Sequence, residues 1–462
     1  MSKKLSSEFY QSDALINEAY HDKAVVEAGG MEDEILGEEN ANKDENYDND
    51  AQNLIERLQQ EQERMGYKLR YVLSIKNKRY FTIVLASLAS IGGMLLGLDM
   101  STISGANLYM PQDIHLTSKQ DSLVVSGAPL GAVFGAFIMP LTNELLGRKW
   151  AIIVACLFYT AGAILEAAAG DYGTMISGRL LVGAGVGLAG FETDDSKLEF
   201  LFLERVISEE RERNRQNKFV WLDFVRKPRC FKALVVGIAI EIFVQFSGTN
   251  GLVYYMSTLM EETGFTPEHA VYMSLVGGGA LLLGTIYALF IVDRMGRRMV
   301  AIPNITVIFL GVIWVGFSFL TPKSHVRTMQ GAYISGIIFY ELGMGPFSVL
   351  SWVTPAEIFP TYLRSYGMMA CDGAVFLFAW IITFNFTRMR EAMTSTGLFT
   401  GFYGGIALSG VIFCVIYFPE TKGKTLEEID ELFQKSWSEI GTQNIRGMVK
   451  HMSSRKRSLK NG

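Results

Sequence analysis

Charge is scarce in this chain: Asp, Glu, Lys and Arg make up 19% of its 462 residues, against about 25% in soluble domains. The formal net charge of −5 arises because acids crowd into the tails and leave the middle close to neutral. It excludes a nucleic-acid partner, which would call for a basic patch. Histidine and cysteine are rarer still, at five and four residues. Cys156, Cys371 and Cys414 sit inside apolar runs and Cys230 lies beside one, so the thiols read as small packing residues and no disulfide framework is expected. There is no His/Cys cluster at metal-ligand spacing, no phosphate loop and no nucleophile motif. An enzyme, a metal and a cofactor are therefore not expected. Gly183-Ala-Gly-Val-Gly187 superficially has the look of a nucleotide loop, but it lies inside an apolar run with no strand before it. A cleavable signal peptide is not expected either, because the first apolar run is too long and comes too late.

What the chain has is glycine, 46 residues of it, and a 49% hydrophobic share. These are laid out as successive apolar runs between Phe81 and Phe418. A hydrocarbon core roughly 30 Å thick takes about 20 apolar residues per spanning helix, and within it every backbone group must be bonded internally. Candidate spans fall at 81–104, 121–142, 150–169, 173–191, 232–256, 268–292, 299–320, 331–353, 366–386 and 398–418. The expected fold is an all-α polytopic membrane protein. Residues 1–66 read as a disordered acidic cytosolic tail, with a weak helical pattern over 54–69. Residues 67–191 read as a helix bundle of four spans, 192–231 as a cytosolic linker, 232–418 as a second bundle of six spans, and 419–462 as a cytosolic C-terminal tail.

Basic residues orient these spans. Lys68, Arg70, Lys76, Lys78 and Arg79 precede the first, Arg148 and Lys149 follow the second, residues 197–232 are rich in Lys and Arg, and Arg294, Arg297 and Arg298 follow the sixth. The opposite loops carry little: Lys119, then Lys323 with Arg327, then Arg388 with Arg390. The positive-inside rule therefore makes both termini and the 192–231 loop cytosolic. Two charges inside spans stand out, since each costs about 2.5 to 3.5 kcal/mol at mid-helix. Asp99 and Arg179 both sit roughly 8 to 9 Å below the outer surface at 1.5 Å per residue, so they can meet. Gly127, Gly131 and Gly135 in the second span, and Gly183 with Gly187 in the fourth, have the spacing that lets helix backbones approach closely.

The basic turns carry further detail. Gly147-Arg-Lys149 after the second span, with Glu144 before it, and Asp293-Arg-Met-Gly-Arg-Arg298 after the sixth repeat one pattern. Arginines there can pair with carboxylates and helix C-terminal carbonyls and so latch neighbouring inner ends, or act only as topology determinants. Gln245-Phe-Ser-Gly-Thr-Asn250 with Tyr254-Tyr255, Glu341-Leu-Gly-Met-Gly-Pro346, Trp352 with Pro355-Ala-Glu-Ile-Phe-Pro360, and Pro419-Glu-Thr-Lys-Gly423 complete the set. With these motifs the chain resembles the sugar porter family of the major facilitator superfamily over about residues 68 to 435. The resemblance implies two six-helix halves that move hexoses, pentoses or polyols by alternating access, with protons as a candidate coupling ion. It implies proton coupling at Asp99, tuned by Arg179, with a purely structural ion pair as the alternative.

The same resemblance makes Gln245, Asn250, Tyr254, Glu341, Trp352 and Thr383 the candidates for a sugar site, the alternative being helix-to-helix hydrogen bonds. Sugars ask for a dense set of donors and acceptors and an aromatic face for their C–H patch. Glu144, Gly147, Arg148, Lys149, Asp293, Arg294, Gly296, Arg297, Arg298, Glu357, Arg364, Pro419 and Glu420 are the implied cytosolic gate. The expected partners are a small sugar or polyol, protons and the lipid bilayer, with the plasma membrane as the location and the vacuolar membrane as the alternative. Val244 and Leu281 stand where the family has Gln and Asn, Glu144 and Pro140 where it has Asp and Gly, and Trp352 lies three residues farther than usual from Gly345-Pro346. Glu241, one turn before Gln245, is an unexplained buried acid.

The largest departure follows Gly190, where the family continues into two more helices before its linker. Here Phe191-Glu-Thr-Asp-Asp195 begins abruptly. Loss of helices five and six preserves the inside-outside parity. It is expected to expose Arg179 and the Gly183 and Gly187 face to lipid and to impair transport severely. A sugar-binding sensor and an inactive truncated product are the competing readings.

Overall fold

The computed structural model of the chain describes residues 97–146, 148–188 and 220–447. The tail over 1–66, its 54–69 segment, most of the first span and the linker up to residue 219 lie outside the described residues. The described part is helical and, among its residues, contains no strand. Residues 97–106 form α1, followed by α2 (Ser118–Leu146), α3 (Arg148–Ala167) and α4 (Tyr172–Leu188). After the linker come α5 (Pro228–Phe246), α6 (Thr249–Tyr254), α7 (Met256–Glu262), α8 (Pro267–Met295) and α9 (Arg297–Ser318). The chain then forms α10 (Val326–Ile358), α11 (Arg364–Thr396), α12 (Gly404–Ile416) and the short α13 (Leu426–Gln434).

Seven stretches of the described residues are long and apolar enough to cross a membrane. One of them, Tyr366–Ile416, is 51 residues long. As a straight helix it would run about 75 Å, more than twice the hydrocarbon thickness. It turns instead at Thr394, whose φ of 62° and ψ of 158° break the helix. A π-helical segment, Gly397–Tyr403, then leads into α12. These are the two separate spans expected at 366–386 and 398–418. Helix α4, described over 17 residues, carries the glycine-rich fourth span.

The expectation that Arg179 and the Gly183 and Gly187 face would meet lipid is wrong. Arg179 is fully buried. A Cβ on Gly183 would stand 2.9 Å from the Ala132 nitrogen, and one on Gly187 would stand 2.7 Å from the Ala136 nitrogen, so this face is pressed against α2. Gly178 and Gly185 meet α3 instead: a Cβ on Gly185 would be 2.7 Å from the Tyr159 nitrogen. At 100° per residue, positions 178 and 183 are separated by about 140° around the helix axis. Helix α4 thus uses two small-residue faces at once and is wedged between α2 and α3. The surface that does face outward is apolar, with Trp150, Ile152, Leu157 and Ile164 each more than half exposed along α3. Cys156 lies on this outward side and is not a packing residue, whereas Cys230, Cys371 and Cys414 are buried as expected.

The second group centres on α10, whose Tyr333, Tyr340, Phe347 and Leu350 are buried among α8, α9 and α11. Helix α2 lies along α11 and forms the main seam between the two groups. The Phe137 ring there comes within 3.6 Å of where a Gly373 side chain would begin. At the end of the second group where α5 begins, a Thr425–Glu428 capping box starts α13, Ile429 and Phe433 are buried, and Arg229 of α5 pairs with Asp430.

Candidate functional site

The first span of the second group is broken. Helix α5 stops at Phe246 and α6 starts at Thr249, with Gly248 between them at a φ of 106°, a conformation open to glycine and strained for other residues. Side chains bind the freed backbone: the Ser247 and Thr249 hydroxyls donate to the Val244 carbonyl at 2.9 and 2.8 Å, and the Tyr340 hydroxyl donates to the Ser247 carbonyl at 3.4 Å. Across the break the Asn250 amide donates to Gln245 Oε1. Irregular backbone persists at membrane depth only where protein or a polar cavity surrounds it. The second irregularity, the π segment, lies beside the first, because Tyr403 packs against Gly248 and a Cβ there would sit 3.1 Å from its ring.

Gln245, Asn250, Tyr254, Glu341 and Thr383 are all buried. The structure joins Gln245 to Asn250 directly and puts Tyr340, the neighbour of Glu341, in reach of Thr249 at 3.2 Å. Among the described residues, both Glu341 oxygens, Thr383 Oγ1, Tyr403 Oη and Trp380 Nε1 are buried without a hydrogen-bond partner, an arrangement that leaves donors and acceptors free for another molecule. The Thr383 carbonyl accepts from the Tyr255 hydroxyl at 3.2 Å, and the Tyr255 ring stacks on Phe386. Trp352 is set apart: its ring is 37% exposed, and α10 is helical throughout Glu341 to Trp352 with no bulge to absorb the three extra positions. Past the break, the buried Ser104 of α1 and Ser257 of α7 share a 3.3 Å hydrogen bond, so the two groups touch there.

Asp99 and Arg179 do meet, at 2.6 Å between Oδ1 and Nη1. Arg179 Nε donates to the Val124 carbonyl of α2 at 3.3 Å. Glu166 of α3 lies 3.6 Å from the same Nη1. Tyr254 of α6 is buried and lies within electrostatic reach of Arg179. Sequence reasoning missed Glu166, although a carboxylate near the outer end of the third span was a visible signal. It also missed Tyr340, Trp380 and Tyr403. For Tyr403 the only available signal was an aromatic residue next to Gly404-Gly405. Glu241 is buried beside Ser351, Asp372 and Cys371, where α5, α10 and α11 converge.

Where α8 gives way to α9, one carboxylate organises a turn. Glu420, just after α12, accepts from the Arg297 and Arg298 backbone N–H groups at 2.9 and 3.1 Å. It thereby caps α9, whose N-terminus favours negative charge. Gly296, at a φ of 97°, is required twice over: a Cβ there would also stand 2.8 Å from Glu420 Oε2. The Arg297 guanidinium grips Glu357 of α10 at 2.7 to 3.2 Å and lies 3.3 Å from Asp293. Thr421 donates to Glu357 at 2.5 Å, Lys422 donates to the Arg294 carbonyl at 2.6 Å, and Arg298 donates to the Val415 and Asn444 carbonyls. For Arg364, at the start of α11, no bond to this network is seen among the described residues, and its Nε has no partner there. Of the matching turn in the first group, Gly147 and the side chains of Glu144, Arg148 and Lys149 lie outside the described residues. Nearby in the linker, hydrogen bonding to Asp223 pushes the Lys227 amine up to about 12.

Comparison with known proteins places these features. The family described as Sugar (and other) transporter matches residues 41–191 and 195–433. The Myo-inositol transporter FST1 of Gibberella moniliformis is 36% identical over 477 positions, covering 82% of this chain and 83% of the relative. Probable polyol transporter 4 of Arabidopsis thaliana is 24% identical, covering 77% of this chain and 86% of that protein. Among solved structures, the proton:xylose symporter XylE bound to 6-bromo-6-deoxy-D-glucose superposes with a TM-score of 0.63 at 19% identity, covering 77% of this chain and all of that one. The fold is therefore that of the major facilitator superfamily. Its first bundle is incomplete: the family match is interrupted between residues 191 and 195, and a matched range of 477 positions exceeds the 462 residues of the whole chain.

Proposed function

The chain belongs to the sugar transporter family of the major facilitator superfamily, and from that premise we propose that it moves a sugar or polyol across the membrane by alternating access, coupled to protons. The observation that carries the substrate class is the broken span α5–α6, with Gln245 and Asn250 paired across it and the unpartnered Glu341, Thr383 and Tyr403 oxygens in the same bundle. A neutral polyhydroxy molecule uses such mixed donors and acceptors and needs no fixed cation to hold it. Trp380 and Trp352 are the candidates for covering its apolar C–H face. Broken spans at the interface of two halves are where carriers of this type bind. Asp99 and Arg179 form the proton site. The Glu357, Glu420 and Arg297 network, with Asp293, Arg294, Gly296, Arg298 and Pro419, latches the inner end; Arg364 and the Glu144, Gly147, Arg148 and Lys149 turn are assigned to the same gate. The plasma membrane is the proposed location, with both termini cytosolic.

The break in the family match at residues 191 to 195 favours a second reading, in which the chain binds its substrate without carrying it. Helices in lipid associate through packing and hydrogen bonds, so the lost pair removes a wall that nothing else replaces. Uptake of radiolabelled hexoses, pentoses and polyols in a host lacking its own carriers separates the two. Saturable, stereoselective uptake supports the first reading. Saturable binding without uptake, with uptake appearing once two helices are grafted behind Gly190, supports the second. Neither binding nor uptake refutes both.

A further inference from the structure

The Asp99–Arg179 pair has a third member that the reading above leaves without a role. Glu166 Oε2 lies 3.6 Å from Arg179 Nη1, the same nitrogen that holds Asp99 Oδ1 at 2.6 Å. The two carboxylates, 8% and 18% exposed, face one fully buried guanidinium, so with both acids ionised the cluster carries one surplus negative charge. Its hydrogen bonding is also incomplete: among the described residues Arg179 Nη2, Glu166 Oε1 and Asp99 Oδ2 are buried and without a partner. One donor and one acceptor oxygen on each acid are thus free to re-pair with no other group displaced. Gly178 makes room for the second acid, since a Cβ there would stand 2.7 Å from Glu166 Cγ.

Among the described residues, the other ionisable groups in electrostatic reach of Arg179 are Tyr159 on α3 and Tyr254 on α6. Helix α2 contributes the Val124 carbonyl, and α1 contributes Asp99. Neither tyrosine can neutralise an arginine at ordinary pH. If Asp99 takes up a proton, Glu166 is the one remaining carboxylate in reach among the described residues. A buried guanidinium that loses its counter-ion is far costlier than one that exchanges it.

We propose that Glu166 is the standby counter-ion of Arg179: when Asp99 accepts a proton from the outer solution, the guanidinium transfers its hydrogen bond from Asp99 Oδ1 to Glu166. The cluster then carries the proton on a neutral acid while the arginine stays paired. Glu166 is a positioning residue in this scheme, because it neither holds the proton nor touches the substrate. The idea rests on the proton-coupled reading given above, so its test has arms that do not need transport.

The first arm is a double-mutant cycle in thermal unfolding of the purified full chain, with Asp99→Asn, Glu166→Gln and the double variant. Each single variant leaves Arg179 one carboxylate and is expected to fold. The double variant is expected to lose at least about 5 °C beyond the sum of the single losses. Additive losses would overturn the proposal. The second arm is infrared spectroscopy of the protonated carboxyl C=O stretch, whose Asp99 contribution is identified by its disappearance in Asp99→Asn. In Glu166→Gln that band is expected only in more acidic buffer, since protonating Asp99 would now strand the arginine; Glu166→Asp is expected to restore the original profile. An unmoved band refutes the standby role even if the cycle is non-additive. If no variant, nor the parent chain, takes up substrate, the transport reading fails while these two arms still decide the role of Glu166.

Discussion

Replacing Glu357 with Gln tests whether the inner-end network holds the second bundle together. Glu357 receives three contacts from Arg297 at 2.7 to 3.2 Å and one from Thr421 at 2.5 Å. Glutamine keeps the length and one acceptor oxygen. It loses the charge and turns an amide N–H toward the guanidinium. The two side chains are 14% and 29% exposed, which places the pair between surface bridges, worth about 0 to 1 kcal/mol, and buried ones, whose disruption costs about 3 to 5 kcal/mol. A charge-assisted hydrogen bond contributes about 1.5 to 3 kcal/mol, so the expected loss is about 2 kcal/mol. For a body of this size that corresponds to a fall of about 4 to 8 °C in the unfolding midpoint.

A thiol-reactive dye reads this directly, because Cys230, Cys371 and Cys414 are buried in α5, α11 and α12 and Cys156, the exposed one, can be removed as Cys156→Ser. Arg297→Gln should cost a similar amount, and the double variant little more, since both changes sever one interaction. A midpoint for Glu357→Gln within about 1 °C of the parent, or additive losses in the pair, would refute the latch and leave these residues as topology determinants.

Asp99→Asn should abolish any pH dependence of accumulation while leaving exchange of substrate down its gradient; uphill accumulation at the parent level would reduce Asp99 to a structural role. Gly183→Val should force α4 away from α2, because the Cβ alone falls within 2.9 Å of backbone at Ala132; overpacking of this kind costs about 1 to 3 kcal/mol, and an unchanged yield of folded protein would contradict the wedge arrangement. Tags at both termini and in the 192–231 loop should resist external protease in intact cells while a tag between 258 and 270 is cut; cleavage in the loop would mean an odd number of spans precedes it. Asp171 accepts from the Thr174 hydroxyl at 2.6 Å and its N–H at 3.2 Å, which holds its carboxyl below the ordinary value. That contribution is present above the carboxylate range and lost as pH falls through it, so amide exchange at Thr174, corrected for intrinsic rate, should speed up in acid in the parent and be pH-independent in Asp171→Asn.

Several elements were legible before any coordinates. The apolar runs over 121–142 and 268–292 each became a helix near the stated bounds, because the bilayer imposes a length on every span, whereas the run over 232–256 became a helix broken at Gly248. Asp99 and Arg179 could be paired from depth alone, since rise per residue fixes how far each lies below the surface. The turn at Gly296 was legible for the same local reason: a basic run closing a span, with a glycine where the chain must reverse. The interrupted family match falls where the fourth span gives way to Phe191-Glu-Thr-Asp-Asp195.

Other features depended on contacts far apart in sequence. Nothing local told that Tyr403 would pack under Gly248 or that Glu420 would cap the start of α9. The mistaken lipid exposure of Gly183 and Gly187 came from counting lost helices without knowing which face each one covers. Sequence by itself determined that this chain spans a membrane and which family its motifs follow, because these depend on hydropathy and local turn chemistry summed along the chain. Only the tertiary structure decided that α4 is buried on two faces and that Glu166 shares Arg179 with Asp99, because helix rotation about its own axis is set by close packing against neighbours, and no pattern within one span encodes its neighbours' positions.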